Sequence, residues 1–336
     1  LIAHMDTSPE ASGEPAQWQV LDYQGGDIVL NKDKNIVLSL ERFPGVAKYA
    51  GEQLVVTDGT TLLGADDKAG IAIIVETARY FVEHPEIPHA KLCFAVTPDE
   101  EVGRGTENFD IEEFGAQYAY TFDGDELGGF ETETFNAAMV KVHFEGLNVH
   151  PGSAKNKMVN AIRMAMDFIA RLPAESAPEN TEGHEGFFHP MGISGAVRGV
   201  DLKMLIRDHS NSRFEDRMNY VRKMVEEMNK VWGDRVSADI KVQYHNLKNY
   251  LDKHPAVCNL AREAYRRIGV EIHEKPVRGG TDGARLSAKG LPTPNLFTGG
   301  MNYHGVYECL SVTGIQRALD LGIMLGKMSA EVKTLD

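Results

Sequence analysis

The order of strands and helices changes twice along this chain, and this change constrains its fold more than any other feature. Both ends alternate short apolar strands with helices, which is typical of α/β architecture around a mostly parallel sheet. In the middle, the spacing of apolar residues instead predicts the order βαββαβ, the ferredoxin-like pattern. We therefore expect residues 134–248 to form a second domain, inserted into a first domain built from residues 1–133 and 249–336.

Apolar periodicity places the individual elements. In the outer domain we predict strands at 1–4, 92–97, 118–122 and 293–297, and helices at 69–81, 256–268 and 314–335. In the inserted domain we predict strands at 139–144, 192–199, 202–207 and 238–244, and helices at 156–172 and 214–228. Because the chain opens directly in a predicted buried strand, we expect an upstream part of the outer domain to be missing, which leaves open whether this fragment is active.

Charge and cysteine content exclude several classes of protein. The 336 residues carry a formal net charge of −14 with 49 acidic residues, which argues against nucleic-acid or anionic-membrane partners. No run approaches the ~20 apolar residues of a transmembrane helix. Cys93, Cys258 and Cys309 are too few and too widely separated to suggest a disulfide framework or a cysteine-rich zinc finger. We expect a cytoplasmic protein.

Side chains of metal-ligand type form five clusters in the outer domain. They are His4 with Asp6, Asp66 with Asp67, Glu100 with Glu101, Asp123, and His304. Four of the five follow predicted strands or lead into helices, and ligands collect at the carboxyl edge of an α/β sheet. Bridging carboxylates and imidazoles suit a pair of divalent ions, and a free glutamate beside a ligand glutamate suits a general base. These residues predict a hydrolase with two zinc ions.

Each cluster also has a simpler explanation when taken alone. A histidine on an apolar strand, such as His4, is often a buried core residue, although Asp6 points to the same face and can orient its imidazole. An aspartate before a helix is often an N-cap. Capping accounts for one member of the Asp66–Asp67 pair and not for both.

Eight motifs in this order resemble the co-catalytic zinc exopeptidase family, and among its members the tripeptide aminopeptidases. They are HMDTSPE, TLLGADDKAGIA, TPDEEVGRG, YTFDG, NVHPGSAK, IRD, RGGTDGA and NLFTGGMNYHG. The resemblance extends over essentially the whole chain. It implies a zinc-exopeptidase catalytic domain with an inserted lid or dimerisation domain. Carboxypeptidases and amino-acylases belong to the same family.

The resemblance also implies a role for each clustered residue. One zinc ion would be bound by His4 and Asp123 and the other by Glu101 and His304, with Asp66 bridging both, Glu100 as general base and Asp6 supporting His4. It further implies a cis peptide bond between Asp66 and Asp67.

Four further residues are candidates for contact with substrate, namely His150, Asn160 and Arg207 in the inserted domain and Arg278 in the outer domain; the role of His150 is implied by the resemblance. His150 would reach the active site of the partner in a homodimer and stabilise the oxyanion. Arg207 and Arg278 would anchor the carboxylate of the peptide, since guanidinium pairs with carboxylate bidentately, and Asn160 would contact substrate. A surface turn is the usual explanation for a histidine before proline and glycine, and ordinary salt bridges are the alternative for both arginines.

The expected reaction is release of the N-terminal amino acid from tripeptides. A carboxypeptidase or an N-acyl-amino-acid amidohydrolase remains open, because these enzymes share the chemistry at the scissile bond. A phosphate-binding role for RGGTDGA lacks the Gly-Lys-Ser/Thr ending of a phosphate loop, and a non-catalytic peptide binder would not need every ligand position. One departure is Asp125, which stands where the family tends to have a glycine, so fine specificity is open.

Overall fold

The structure is a computed structural model that describes residues 1–14 and 17–332. It divides into two compact units. Unit 1 consists of residues 1–132, Leu247–Lys275 and the chain from Thr281 onward, and unit 2 consists of Glu133–Asn246 with Pro276–Gly280. Sequence analysis did not assign the short segment 276–280 to the inserted domain.

Unit 1 begins with β1 (Ile2–His4), β2 (Trp18–Asp22), β3 (Ile28–Asn31), β4 (Ile36–Leu38), β5 (Gln53–Thr57), α1 (Ala65–Glu83), β6 (Ala95–Thr97), α2 (Ile111–Phe114), β7 (Thr121–Gly124) and β8 (Gly129–Glu131). Unit 2 contains β9 (Asn136–Glu145), α3 (Ala161–Ala170), β10 (Phe187–Ala196), β11 (Gly199–Asp208), α4 (Asn211–Trp232) and β12 (Val236–Tyr244). Unit 1 resumes with α5 (Lys248–Leu251), α6 (Pro255–Ile268), β13 (His273–Glu274), α7 (Asp282–Ala288), β14 (Asn295–Phe297), β15 (Gly300–Met301), β16 (Cys309–Ser311) and α8 (Val312–Ser329). Short 3₁₀ helices lie at Pro44–Tyr49, Pro151–Ser153, Ala174–Ser176 and Pro178–Asn180.

The main sheet of unit 1 has the strand order β13-β8-β14-β7-β1-β6. Strand β1 pairs in parallel with β6 and β7, and β14 is antiparallel only to β8. All three residues of β1 are buried, as expected for a strand inside a parallel sheet. Helix α8 packs against α1 and against α6, and residues of all three helices share one apolar core with this sheet. The predicted α/β class is confirmed.

Unit 1 also contains strands that the sequence did not reveal. An antiparallel sheet has the order β15-β16-β5-β2, and β3 pairs with β4. Strand β2 has no buried residue, so the alternation that signals a strand is absent there. The predicted helix at 314–335 is α8, which ends at Ser329; residues 333–335 lie outside the described part of the chain.

Unit 2 has the predicted βαββαβ order. Its antiparallel sheet runs β10-β11-β9-β12, and β9 alternates buried and exposed residues from Val140 onward. Apolar residues of α3 and α4, such as Phe168 and Met218, pack on one face of this sheet. Helix α3 begins at Ala161 and not near 156, because Asn160 caps it by accepting from the amide of Ile162 at 2.9 Å.

Across residues 1–14 and 17–332, none of the helices combines the length and the apolar character needed to cross a membrane.

Candidate metal centre

Two groups of three ligand-type side chains share one aspartate in unit 1. The first is His4, Asp66 and Asp123, and the second is Asp66, Glu101 and His304. His4 Nε2 lies 2.9 Å from Asp66 Oδ1 and 3.2 Å from Asp123 Oδ1. On the other side, His304 Nε2 lies 3.2 Å from Asp66 Oδ2 and 3.0 Å from Glu101 Oε2. Asp66 therefore offers one oxygen to each group, and all five predicted ligands come together.

The sheet explains how residues so distant in sequence meet. His4 ends β1 and Asp123 lies near the end of β7, its parallel neighbour, so both side chains stand at the same edge. Glu101 follows β6, the other parallel neighbour of β1. Asp66 enters from the start of α1, and His304 from the loop after β15.

The Asp66–Asp67 pair divides into a site residue and a structural residue. The peptide bond between them is cis, as the resemblance implies. Asp67 is buried, and its carboxylate accepts from the backbone amide of His4 at 3.1 Å and from that of Gly70 at 3.0 Å. A Cβ at Gly70 would lie 2.0 Å from the carbonyl oxygen of Phe122, so only glycine fits there. Asp67 thus joins β1 to α1 while Asp66 faces the ligands.

Asp6 contacts both halves of the centre. His4 Nδ1 lies 3.0 Å from the backbone oxygen of Asp6 and 3.3 Å from its Oδ1, so Asp6 contacts His4 as expected. Its carboxylate also accepts from the backbone amides of Glu100 and Glu101, each at 3.0 Å. Sequence analysis missed this second contact, which fixes the turn between the candidate base and the candidate ligand.

The imidazoles and the shared aspartate stabilise one another's charged forms when no ion is bound. Burial opposes protonation of His4, yet contacts with Asp123 and Asp66 raise its pKa well above the ordinary range. Hydrogen bonds to Asp66 and Glu101 raise the pKa of His304 to about 10. Burial opposes ionisation of Asp66, but the two imidazoles lower its pKa to about 2. The carboxylates around the two imidazoles thus favour their protonated forms.

The remaining carboxylates are crowded. Burial and the nearby charges of Asp123 and Asp282 raise the pKa of Glu100 well above its usual value. Burial raises the pKa of Asp123 to about 7, although His4 opposes this. Glu101 Oε1 is buried without a hydrogen-bond partner among the described residues. A set of carboxylate oxygens with two imidazoles, of which only His304 is exposed, fits hard-to-borderline divalent cations.

The loop that carries His304 is anchored by Tyr303, which sequence analysis did not identify. The Tyr303 hydroxyl lies 2.8 Å from Thr298 Oγ1 and donates to the carbonyl oxygen of Gly124 at 3.1 Å. Gly124 follows Asp123, so this contact joins the loop to the strand of a ligand in the other group. His304 itself has a positive φ of 63°.

Behind Asp123 lies a second group of residues that sequence analysis missed. The side-chain oxygen of Asn295 accepts from the backbone amide of Asp123 at 3.1 Å and from Thr121 Oγ1 at 2.9 Å. The Asn295 amide donates to Glu131 at 2.6 Å. Burial raises the pKa of Glu131 to about 8. These contacts fix the end of β7. Thr121 and Asn295 lie in the motifs YTFDG and NLFTGGMNYHG, but the motifs alone assign them no role.

The four predicted residues of unit 2 have local contacts within that unit. His150 is exposed, and its Nδ1 accepts from the amide of Gly152 at 3.1 Å. Asn160 caps α3. Arg207 donates to the backbone oxygen of Arg278 at 3.1 Å. Arg278 donates to the backbone oxygens of residues 183 and 185 and to a threonine hydroxyl, so it holds the 181–185 loop. Their roles toward substrate remain predictions.

Comparison with known proteins identifies the family. Residues 132–233 match the Peptidase dimerisation domain. Peptidase T from Parabacteroides distasonis is 47% identical over 329 residues, which are 98% of this chain and 81% of that protein. Peptidase T from Clostridium acetobutylicum is 49% identical over 332 residues, with the same shares covered. The chain belongs to the peptidase T family. It is thus a member of a family of peptidases, and the resemblance seen in the motifs is confirmed.

Solved structures agree with the fold. Aminopeptidase PepT from Bacillus cereus matches with a TM-score of 0.71 at 28% identity, over 82% of this chain and 74% of that chain. A tripeptidase from Staphylococcus aureus matches with a TM-score of 0.76 at 23% identity, over 98% of this chain and 80% of that one. A dinuclear metal-binding peptidase of the M20 family from Bacillus subtilis matches with a TM-score of 0.61 at 14% identity, over 94% and 85%. The last two support the fold alone.

Proposed function

We propose that this protein is a tripeptide aminopeptidase that works with two zinc ions. The observation that carries the proposal is the pair of ligand groups that share Asp66, with His4 and Asp123 on one side and Glu101 and His304 on the other. Its peptidase T relatives, at 47–49% identity, support the reaction class. The ions would supply a water of lowered pKa and would polarise the scissile carbonyl.

Glu100 is the proposed general base. Glu101 is the member of this pair that lies beside His304 and Asp66, whereas Glu100 belongs to neither ligand group. Asp6 holds both backbone amides of this pair and thereby positions the Glu100 carboxylate. A base must accept a proton from water and pass it to the leaving amine, which requires a pKa nearer to neutrality than that of an exposed glutamate. The raised pKa of Glu100 has the direction that this role needs.

Selection of tripeptides requires that both ends of the substrate be held. We assign the peptide carboxylate to Arg207 and Arg278, with Asn160 as a further substrate contact. We also propose a homodimer in which His150 of one subunit stabilises the oxyanion in the other, and the match to the Peptidase dimerisation domain supports the dimer. A cytoplasmic location is proposed as well, and the three free thiols suit a reducing compartment.

The decisive test is substitution of the proposed base. Glu100→Gln should retain both ions, since Glu100 is not a proposed ligand, and should lose a factor of roughly 10²–10⁴ in kcat. Glu107→Gln is the matched control, because Glu107 lies in the same loop and makes an exposed ion pair with Arg104. Hydrolysis of a free tripeptide and the bound-metal content would be measured for both variants. Near-native activity of Glu100→Gln would remove the base assignment.

Blocking either end of the substrate distinguishes an aminopeptidase from a carboxypeptidase or an N-acyl-amino-acid amidohydrolase. An aminopeptidase should cleave a free tripeptide and should not cleave its N-acetylated form. A carboxypeptidase or an N-acyl-amino-acid amidohydrolase on the same scaffold would accept the acetylated substrate. Product analysis on free, N-acetylated and C-amidated tripeptides distinguishes these outcomes, and it also tests whether the C-terminal carboxylate is needed.

A further inference from the structure

We propose that Glu308 is a positioning residue that fixes the bridging carboxylate of Asp66 and the imidazole of His304 relative to each other. This inference rests on the proposed two-ion centre. Glu308 is 2% exposed, and its carboxylate accepts from two backbone amides at the start of α1. Its Oε2 accepts from the amide of Gly64 at 2.6 Å, and its Oε1 accepts from the amide of Asp66 at 3.0 Å.

The start of α1 needs an external acceptor. Gly64 occupies the N-cap position, has no side chain to offer and has a left-handed backbone with φ 66°. Asp66 and Asp67 have non-helical backbone angles, so the amide of Asp66 is not part of a regular helical ladder. Unpaired amides at a helix start are normally satisfied by a local side chain. Here the acceptor comes from Glu308, 244 residues beyond Gly64.

The surroundings of Gly64 leave little room for this turn to move. A Cβ at Gly64 would lie 1.9 Å from Lys68 Nζ and 2.9 Å from Thr7 Cγ2. The Lys68 ammonium also interacts electrostatically with Glu308 and so offsets part of its buried charge. The turn is therefore enclosed by Lys68 and Thr7 and hydrogen-bonded to Glu308.

Glu308 is also part of the turn that follows His304. Its backbone amide donates to the carbonyl oxygen of Gly305 at 3.2 Å, and Asn302 donates to the backbone oxygen of Tyr307 at 3.2 Å. The segment from 302 to 308 is thus internally bonded, with His304 inside it. One side chain connects this segment to the backbone of Asp66. Both connected residues belong to the ligand group that also contains Glu101.

The chemistry of glutamine makes the inference testable. In Glu308→Gln one acceptor oxygen becomes an amide nitrogen, so one of the two backbone amides faces another donor in a buried position. Partners that orient metal ligands typically contribute roughly 10–100-fold to metal affinity. We expect Glu308→Gln to weaken the ion held by Asp66, Glu101 and His304 by roughly this factor, and to affect the other ion less.

The matched control is Glu52→Gln. Glu52 accepts from Ser311 Oγ at 2.7 Å, so it also receives a hydrogen bond from the chain just beyond Glu308, yet it contacts none of the proposed ligands. Calorimetric titration of each metal-free protein with Mn²⁺ gives the two affinities. Electron paramagnetic resonance of the Mn²⁺-loaded proteins reports the coupling between the ions. Thermal unfolding in chelator gives the loss of stability in each variant.

The expected result is weaker binding and altered coupling in Glu308→Gln, with Glu52→Gln matching the unsubstituted protein. Unchanged Mn²⁺ affinities in Glu308→Gln would overturn the inference and leave the two-ion centre standing. Failure of the unsubstituted protein to bind a pair of ions would remove both. If Glu308→Gln does not fold, Glu308→Asp takes its place in the experiment. The aspartate side chain is one methylene shorter, so its carboxylate cannot reach both amides. The same Mn²⁺ affinities then support or overturn the inference.

Discussion

Replacing Asp6 by asparagine tests how the two halves of the centre are connected. The Asp6 carboxylate accepts from the backbone amides of Glu100 and Glu101 at 3.0 Å each. His4 Nδ1 contacts the backbone oxygen of Asp6 at 3.0 Å, in addition to its carboxylate. In Asp6→Asn the backbone contact to His4 survives. One of the two amides in the Glu100–Glu101 turn loses its acceptor and faces the new side-chain nitrogen.

The size of the effect follows from the lost hydrogen bond. A hydrogen bond to a charged group contributes about 1.5–3 kcal/mol, and the 23% exposure of the Asp6 side chain favours the lower end. Since 1.36 kcal/mol corresponds to a factor of ten in rate, kcat should fall on the order of 10-fold. The ion beside Glu101 should bind more weakly, because its ligand is on the loosened turn. The ion beside His4 should bind as before.

The assay is tripeptide hydrolysis together with calorimetric metal titration of the ion-free protein. Asp27→Asn is a suitable control, because the Asp27 carboxylate likewise accepts from a backbone amide, that of Leu40 at 2.8 Å, on an exposed part of unit 1. If Asp6→Asn instead weakened the ion beside His4 and left the other unchanged, Asp6 would act through His4 alone, and the reasoning from the Glu100–Glu101 amides would be wrong.

Three further outcomes are expected. The pKa of His4 and that of His304 are both raised, the latter to about 10, so both imidazoles should carry a proton at pH 8 before an ion binds. Metal binding should therefore release protons and become stronger as the pH rises toward 10. Binding heats that do not change with the ionisation enthalpy of the buffer would contradict this. Gly70→Ala should destabilise unit 1 by roughly 1–3 kcal/mol or more in chemical denaturation, because its Cβ would lie 2.0 Å from the carbonyl of Phe122; an unchanged midpoint would contradict it. Asp208→Ala should cost unit 2 roughly 1–3 kcal/mol in thermal unfolding, because the buried carboxylate accepts from the backbone amide of Ser210 and from two partly exposed arginines, whose charges water can screen. An unchanged melting temperature would contradict this.

The sequence predicts that the candidate ligands meet, because their positions follow from the sheet. Parallel strands end at one edge, so His4 and Asp123 could be placed together from two apolar runs and the polar residues behind them. The doublets were also informative, since capping could not use both members of the Asp66–Asp67 pair. In the structure Asp67 accepts from the backbone amide of Gly70 within α1, and Asp66 lies among the candidate ligands.

The residues that orient the ligands could not be predicted in the same way. Glu308 acts through backbone amides more than two hundred residues earlier, and Tyr303 acts through the carbonyl of Gly124. Such contacts depend on the conformation of loops, and loop sequences have no apolar periodicity from which that conformation could be predicted. For Arg278 the sequence suggests a role that its contacts in the structure do not reveal. Its charge suggests a carboxylate anchor, whereas in the structure its guanidinium donates hydrogen bonds to neutral oxygens of a neighbouring loop.

The centre combines ligands that cannot be prearranged in an unfolded chain. The candidate ligands His4, Asp66, Glu101, Asp123 and His304 span nearly the whole sequence. Two metal ions would bind them together only in the native state, and binding would then add to the free energy of unfolding. Without ions, burial raises the pKa of Glu100 and of Asp123, while both imidazoles take up protons. Protons thus partly compensate the excess of buried carboxylates. Metal ions and protons compete for the same negatively charged carboxylates. The contacts of Asp6, Asp67 and Glu308 with backbone amides therefore matter, because they keep the candidate ligands in place whichever cation is bound.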